Sequence, residues 1–127
     1  MVKPRGQQTG RSILVVEDDP DLRETIALIL EQHGHGVISC GDGSSAVRLA
    51  HAHHPDLALI DLDLPDLDGC EVARRIRAEG ARATTRLIAV SGYAAQQDRE
   101  RAQQAGFDEY LTKPIHFERL YRAIAHS

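Results

Sequence analysis

The sequence predicts an α/β fold: a five-stranded parallel sheet, doubly wound in (βα)5 order. Three observations predict it. Short apolar runs alternate strictly with amphipathic stretches of helical period. The central runs are apolar throughout rather than alternating, as strands buried on both faces are. Carboxylates, a Ser and a Lys stand just past the ends of these runs, where an open parallel sheet collects its ligands.

The elements follow in order. Residues 12–16, SILVV, are apolar and β-branched and read as the first strand. The strand runs into Glu17-Asp18-Asp19. Pro20 suits a first helical turn with Asp19 as its N-cap, and Leu22, Ile26, Ile29 and Leu30 continue at helical spacing. Gly34 and Gly36 end that helix, and residues 37–40 form a short second strand. Asp42-Gly43 reads as a turn, with Ser44 or Ser45 capping a helix that carries Ala46, Val47, Leu49 and Ala50 to about His54.

Residues 56–61 make the third strand, whose Leu-Ala-Leu-Ile run ends abruptly in Asp61. The loop 62–69 carries Asp63, Asp66 and Asp68; Asp66 reads as loop solvation and Asp68 as a cap. A helix over 70–79 buries Val72, Ala73 and Ile76. Residues 87–90 form the fourth strand, closing at Ser91-Gly92. A polar helix over 94–105 with a thin apolar face is stopped by Gly106. Residues 108–111 form the fifth strand before Thr112-Lys113-Pro114. Phe117, Leu120, Tyr121 and Ile124 mark a terminal amphipathic helix.

A chain of 127 residues, 42% hydrophobic and 27% charged, is one globular domain with a core that needs no staples. Residues 1–11 read as a flexible tail or linker and 12–127 as the domain. The net charge of -4, with Arg dispersed among acids, weighs against a nucleic-acid partner. No apolar segment is long enough to span a membrane. Cys40 and Cys70 have no ligand-like spacing and fit a reduced, cytoplasmic protein. His51, His53 and His54 complement a helix C-terminus better than they form a metal site. Of the 15 basic residues 13 are Arg, and the Lys are Lys3 and Lys113, so the predicted domain keeps a single compact ammonium.

Glu17 and Asp18 follow the first strand, Asp61 the third, Ser91 the fourth and Lys113 the fifth. In a doubly wound sheet these ends lie on one edge. Three carboxylates together repel one another, and a hard divalent cation resolves the repulsion; Mg²⁺ fits, with Mn²⁺ as a substitute. A Lys ammonium and a Ser hydroxyl suit phosphoryl oxygens, and the chemistry that follows is phosphoryl transfer to a carboxylate.

The pieces VVEDDP, LIDLDLPDLDG, AVSGYA and YLTKP, in this order and at this spacing, resemble the receiver domain of two-component response regulators. The resemblance runs from about Ser12 to Ala125. It implies a flavodoxin-like fold with strand order 2-1-3-4-5 and a phosphoacceptor switch rather than a conventional enzyme. A histidine kinase or histidine phosphotransfer protein would phosphorylate Asp61 with Mg²⁺ bound. Asp18 would ligate the metal directly, Glu17 mainly through water, and Asp61 with the backbone carbonyl of Asp63 would complete the set. Ser91 would be the switch hydroxyl, Lys113 the second phosphoryl contact, and Tyr110 the aromatic that turns inward when Ser91 moves. The Lys113-Pro114 bond would be cis.

The same resemblance implies bacterial phosphorelay signalling, with a downstream target docking on the face of the fourth helix, fifth strand and fifth helix. The domain would be a monomer or weak homodimer. The stretch from LIAVSGYA to HFERL looks most like receivers attached to hybrid histidine kinases, so the chain is read as part of, or partner to, such a kinase. Glu17 stands where the family more often has Asp. Asp63 and Tyr93 occupy positions that tune phosphoryl lifetime in the family. A rival reading takes Asp61-Leu-Asp63 as similar to the nucleophile motif of haloacid-dehalogenase-type phosphatases, but the following Leu-Pro does not fit that motif.

Overall fold

A computed structural model describes residues 10–78 and 85–125. Residues 1–9 of the expected tail and Glu79, expected to end the third helix, lie outside the described residues. The elements are β1 Ser12–Val16, α1 Pro20–Gln32, β2 Gly36–Cys40, α2 Gly43–His53 and β3 Leu57–Asp61. They continue as α3 Gly69–Ala78, β4 Arg86–Ser91, α4 Gln96–Ala105, β5 Glu109–Thr112 and α5 Phe117–Ala125. The five strands form one sheet in the order β2-β1-β3-β4-β5, every neighbouring pair parallel. This is the predicted flavodoxin-like arrangement.

The two-residue side-chain period of a strand divides the core in two. Ile13 and Val15 of β1, Leu57 and Leu59 of β3, and Ile88 and Val90 of β4 face one side, against Ile26 and Leu30 of α1 and Leu120 and Ile124 of α5. The alternate residues Leu14, Val16, Ala58, Ile60, Leu87 and Ala89 face the other, against residues of α2, α3 and α4. Small side chains (Ala46, Ala50, Ala73, Ala102 and Ala105) line much of that second face. Each large side chain buried here stabilises the fold by roughly 1.5–3 kcal/mol, which is why β1, β3 and β4 read as continuous apolar runs. β2 sits at the sheet edge, is only partly buried, and its sequence signal was correspondingly short.

Asp19 caps α1, its side chain accepting from the N–H of Asp21 and Leu22, with Pro20 in the first turn. Gly106 ends α4 at φ 113, in the left-handed region that glycine tolerates best. At α2 the local reading needs correction. The cap is Asp42, whose carboxylate accepts from the Ser45 N–H at 2.8 Å, so the helix begins at Gly43 rather than after Ser44 or Ser45. Asp66 is also more than loop solvation. It reaches across to accept from the N–H of Gly43 at 2.7 Å and of Ser44 at 3.1 Å. α4 begins at Gln96, two residues later than expected, and β5 runs one residue further, to Thr112.

Candidate functional site

The sheet order makes β1, β3, β4 and β5 successive neighbours, so their carboxyl ends share one edge. Register then aligns them: Val16 pairs with Ile60, Asp61 with Val90, and Ser91 with Thr112. Two backbone bonds fix the site residues beyond the ladder. The Glu17 N–H donates to Cys40 O at 3.0 Å, and the Lys113 N–H donates to Ser91 O at 2.7 Å. Arg23 of α1 donates to the Glu17 carbonyl at 2.7 Å, closing the loop after β1.

Glu17, Asp61 and Ser91 are 4%, 2% and 1% exposed, so hydrophobic packing holds three polar groups at the base of the site. One carboxylate oxygen from each of Glu17, Asp18 and Asp61 lies within 4.8 Å of the others. The Lys113 Nζ stands 3.0 Å from Asp61 Oδ2 and 3.8 Å from Glu17 Oε1. The structure therefore brings together Glu17, Asp18, Asp61 and Lys113 from three strand ends, as their spacing predicted.

The electrostatics follow from this crowding. Glu17 is pushed up from 4.5 to about 7, first by burial and then by the charge of Asp61, against the N–H of Asp19 and the ammonium of Lys113. The Asp19 N–H donates to Glu17 Oε2 at 3.1 Å. Asp63 is also raised, by burial and by the Asp61 charge. Burial pulls the Lys113 ammonium down, but its bond to Asp61 and the charges of Asp61, Glu17 and Asp63 outweigh this and leave it raised. A second cation would relieve the remaining repulsion. The donor set is all hard carboxylate oxygen, with no His or Cys, so it fits Mg²⁺ or Mn²⁺ and no softer metal.

Asp63 lies outside the oxygen cluster as a side chain, but its N–H donates to Asp61 Oδ1 at 2.9 Å, fixing the loop beside the acid. Ser91 Oγ accepts from the Tyr93 N–H at 3.1 Å. Tyr110 donates its hydroxyl to the Tyr93 carbonyl at 2.6 Å, so its half-buried ring rests toward the loop after β4. A cleft of about 300 Å³ opens beside these groups, lined by Asp63, Ser91, Tyr93 and Tyr110 among others. The Lys113-Pro114 peptide is cis, as expected. Two residues described above gave no sequence signal for their contacts: Arg23, which closes the loop after β1, and Asp66, which the fold brings to Gly43 and Ser44.

Gly69 is needed where α3 meets this loop. A Cβ there would stand 2.7 Å from Leu62 Cα and 2.9 Å from Asp61 O, both backbone atoms. The chain therefore passes directly over the Asp61–Leu62 backbone, a closeness only glycine permits.

Comparison with known proteins agrees with this geometry. Residues 13–125 match the response regulator receiver domain family. The polar-differentiation response regulator DivK of Brucella ovis is 33% identical over 114 residues, covering 90% of this chain and 93% of its own. The probable transcriptional regulatory protein TcrX of Mycobacterium tuberculosis is 36% identical, and the match spans 45% of its length. Among solved structures, the receiver domain of the sensor histidine kinase PA1611 of Pseudomonas aeruginosa is 40% identical with a TM-score of 0.82. The match covers 92% of this chain and 96% of that one, whose active-site cleft coordinates a magnesium ion. This chain belongs to the response regulator receiver domain family of two-component signalling, a phosphoacceptor switch rather than a conventional enzyme.

Proposed function

We propose that Asp61 is the phosphoacceptor, with Mg²⁺ (or Mn²⁺) held by Glu17, Asp18, Asp61 and the Asp63 carbonyl. The observation that carries this reading is the cluster of three carboxylate oxygens within 4.8 Å, faced by the Lys113 ammonium at 3.0 Å from Asp61. The bound cation would neutralise charge on the phosphoryl oxygens as they approach three acids. The chain's own residues do the rest. An Asp61 carboxylate oxygen attacks the phosphorus of a phosphohistidine on the partner. A P–O bond forms, the P–N bond breaks, and the imidazole leaves. Lys113 holds Asp61 in place beforehand and takes a phosphoryl oxygen afterwards. Ser91 supplies a hydroxyl to another oxygen, giving up its bond from the Tyr93 N–H. Tyr110, tied to the same residue through the Tyr93 carbonyl, passes the change to β5 and α4.

The donor is a histidine kinase or histidine phosphotransfer protein. The likeness to a receiver carried by a sensor histidine kinase supports a place in, or beside, a hybrid kinase. The downstream target docks on the face of α4, β5 and α5, and the domain is a monomer or weak homodimer that works in the cytoplasm. Residues 12–127 form the receiver unit, preceded by a tail or linker over 1–11. Among the described residues no helix is long and apolar enough to cross a membrane. The test is intact mass after incubation with a small phosphodonor and Mg²⁺. One added phosphoryl that needs the metal and is absent from Asp61→Asn supports the reading. Equal labelling of Asp61→Asn refutes it.

A further inference from the structure

Tyr110 is held from two sides. Its hydroxyl meets the Tyr93 carbonyl at 2.6 Å, and the Arg99 guanidinium carbon stands 4.8 Å from the ring centroid. The same guanidinium donates through Nη2 to Thr112 Oγ1 at 3.2 Å. Thr112 pairs with Ser91 across the sheet, and Tyr110 pairs with Ala89. Arg99 thus spans from α4 to β5 over one face of the ring and anchors at the strand position level with the switch serine.

We infer that Arg99 is a positioning residue: it clamps Tyr110 against the loop after β4 and so sets the resting balance of the switch. Beyond its packing at the margin of the core, the ring is held by its hydroxyl's bond to a loop carbonyl, which a tyrosine readily exchanges for water. The guanidinium adds attraction to the ring face, and its bond to Thr112 fixes the guanidinium, so little freedom remains to be lost when the ring docks. Through the peptide groups of Tyr93 the docked ring is connected to Ser91, whose Oγ receives the Tyr93 N–H. Anything that binds the docked form preferentially therefore binds more weakly once the clamp is gone. This consequence rests on the proposed phosphoryl site; the clamp itself does not.

The first arm reads the ring directly. The three tyrosines are replaced by 3-fluorotyrosine and the Tyr110 fluorine resonance is identified by its loss in Tyr110→Phe. Arg99→Ala moves that resonance toward the position of a solvent-exposed tyrosine, and Arg99→Lys restores part of the shift, since an ammonium also attracts the ring face. An unmoved resonance in Arg99→Ala, with the fold intact by amide spectra, overturns the clamp. The second arm titrates fluoroberyllate with Mg²⁺. Arg99→Ala shifts the dissociation constant about two- to fivefold, the size of an exposed cation–aromatic contact. In a Tyr110→Ala background the same substitution has no effect. An equal shift in both backgrounds overturns the clamp. Absence of fluoroberyllate binding by the unaltered protein would instead count against the phosphoryl site, while the fluorine arm still decides the clamp.

Discussion

Glu17→Gln removes the buried carboxylate that is most displaced from its ordinary behaviour, and its effect on stability has a definite sign. Glu17 is 4% exposed and its carboxyl is raised from 4.5 to about 7, chiefly by burial. Below pH 4.5 the group is protonated both in the folded protein and in the unfolded chain, and its contribution to stability is fully present. Between pH 4.5 and 7 the unfolded chain releases the proton while the folded protein keeps it, so stability falls as pH rises. The contribution is gone once pH has passed through about 7. At about 1.4 kcal/mol for each unit of displacement, the loss across this window is on the order of 3 kcal/mol. Urea denaturation at pH 5 and pH 8, without divalent cation, reads it. The unaltered protein loses that amount relative to Glu17→Gln, which is the more stable of the two at pH 8. Adding Mg²⁺ stabilises the unaltered protein more at pH 8 than at pH 5, because the metal must displace a proton from Glu17 at the lower pH. Stability curves of the two proteins that run parallel from pH 5 to 8 would refute the reasoning.

Other substitutions test separate parts of the account. Lys113→Met leaves Glu17 and Asp61 facing each other without their ammonium, and denaturation should show a loss of roughly 2–4 kcal/mol at pH 8 that shrinks at pH 5, where Glu17 takes up a proton. Gly69→Ala drives a methyl group into the backbone of Leu62 and Asp61; it should cost about 1–3 kcal/mol and slow phosphorylation, read by denaturation and by labelling rate. Asp66→Ala frees the start of α2 from the loop after β3; melting temperature should fall, and the fall should vanish as pH drops toward about 2, where the Asp66 carboxyl itself protonates. Asp63→Asn should change the rate of phosphoryl loss, followed by mass spectrometry over time, because it removes a negative charge beside Asp61 while keeping the backbone N–H that donates to Asp61 Oδ1.

Most of the fold was legible because it rests on local rules. Asp19-Pro20 announced α1, Gly106 announced the end of α4, and the two-sided burial of β1, β3 and β4 wrote itself as unbroken apolar runs. The sheet-edge geometry was legible once the strand order that the resemblance implies is added to the alternation: the carboxyl ends of β1, β3 and β5 then lie on one edge, and Glu17, Asp18, Asp61 and Lys113 come together there. What escaped depends on contacts between distant segments. Asp66 looks like any loop acid until the fold brings it to Gly43 and Ser44. Ser44 and Ser45 were equally good caps on propensity, and Asp42 took the place because the backbone after β2 is extended there. Arg99 is one polar residue on a polar helix until β5 places Tyr110 beneath it.

The most direct test of the central claim is to locate the phosphoryl group chemically. An acyl phosphate is reduced by borohydride, which converts the aspartate that carried it to homoserine. Protein labelled by a phosphodonor and Mg²⁺, then reduced and digested, should show homoserine at position 61 and nowhere else. Homoserine at another acid of the cluster, or unchanged Asp61 in protein whose mass shows a phosphoryl group, would contradict the account.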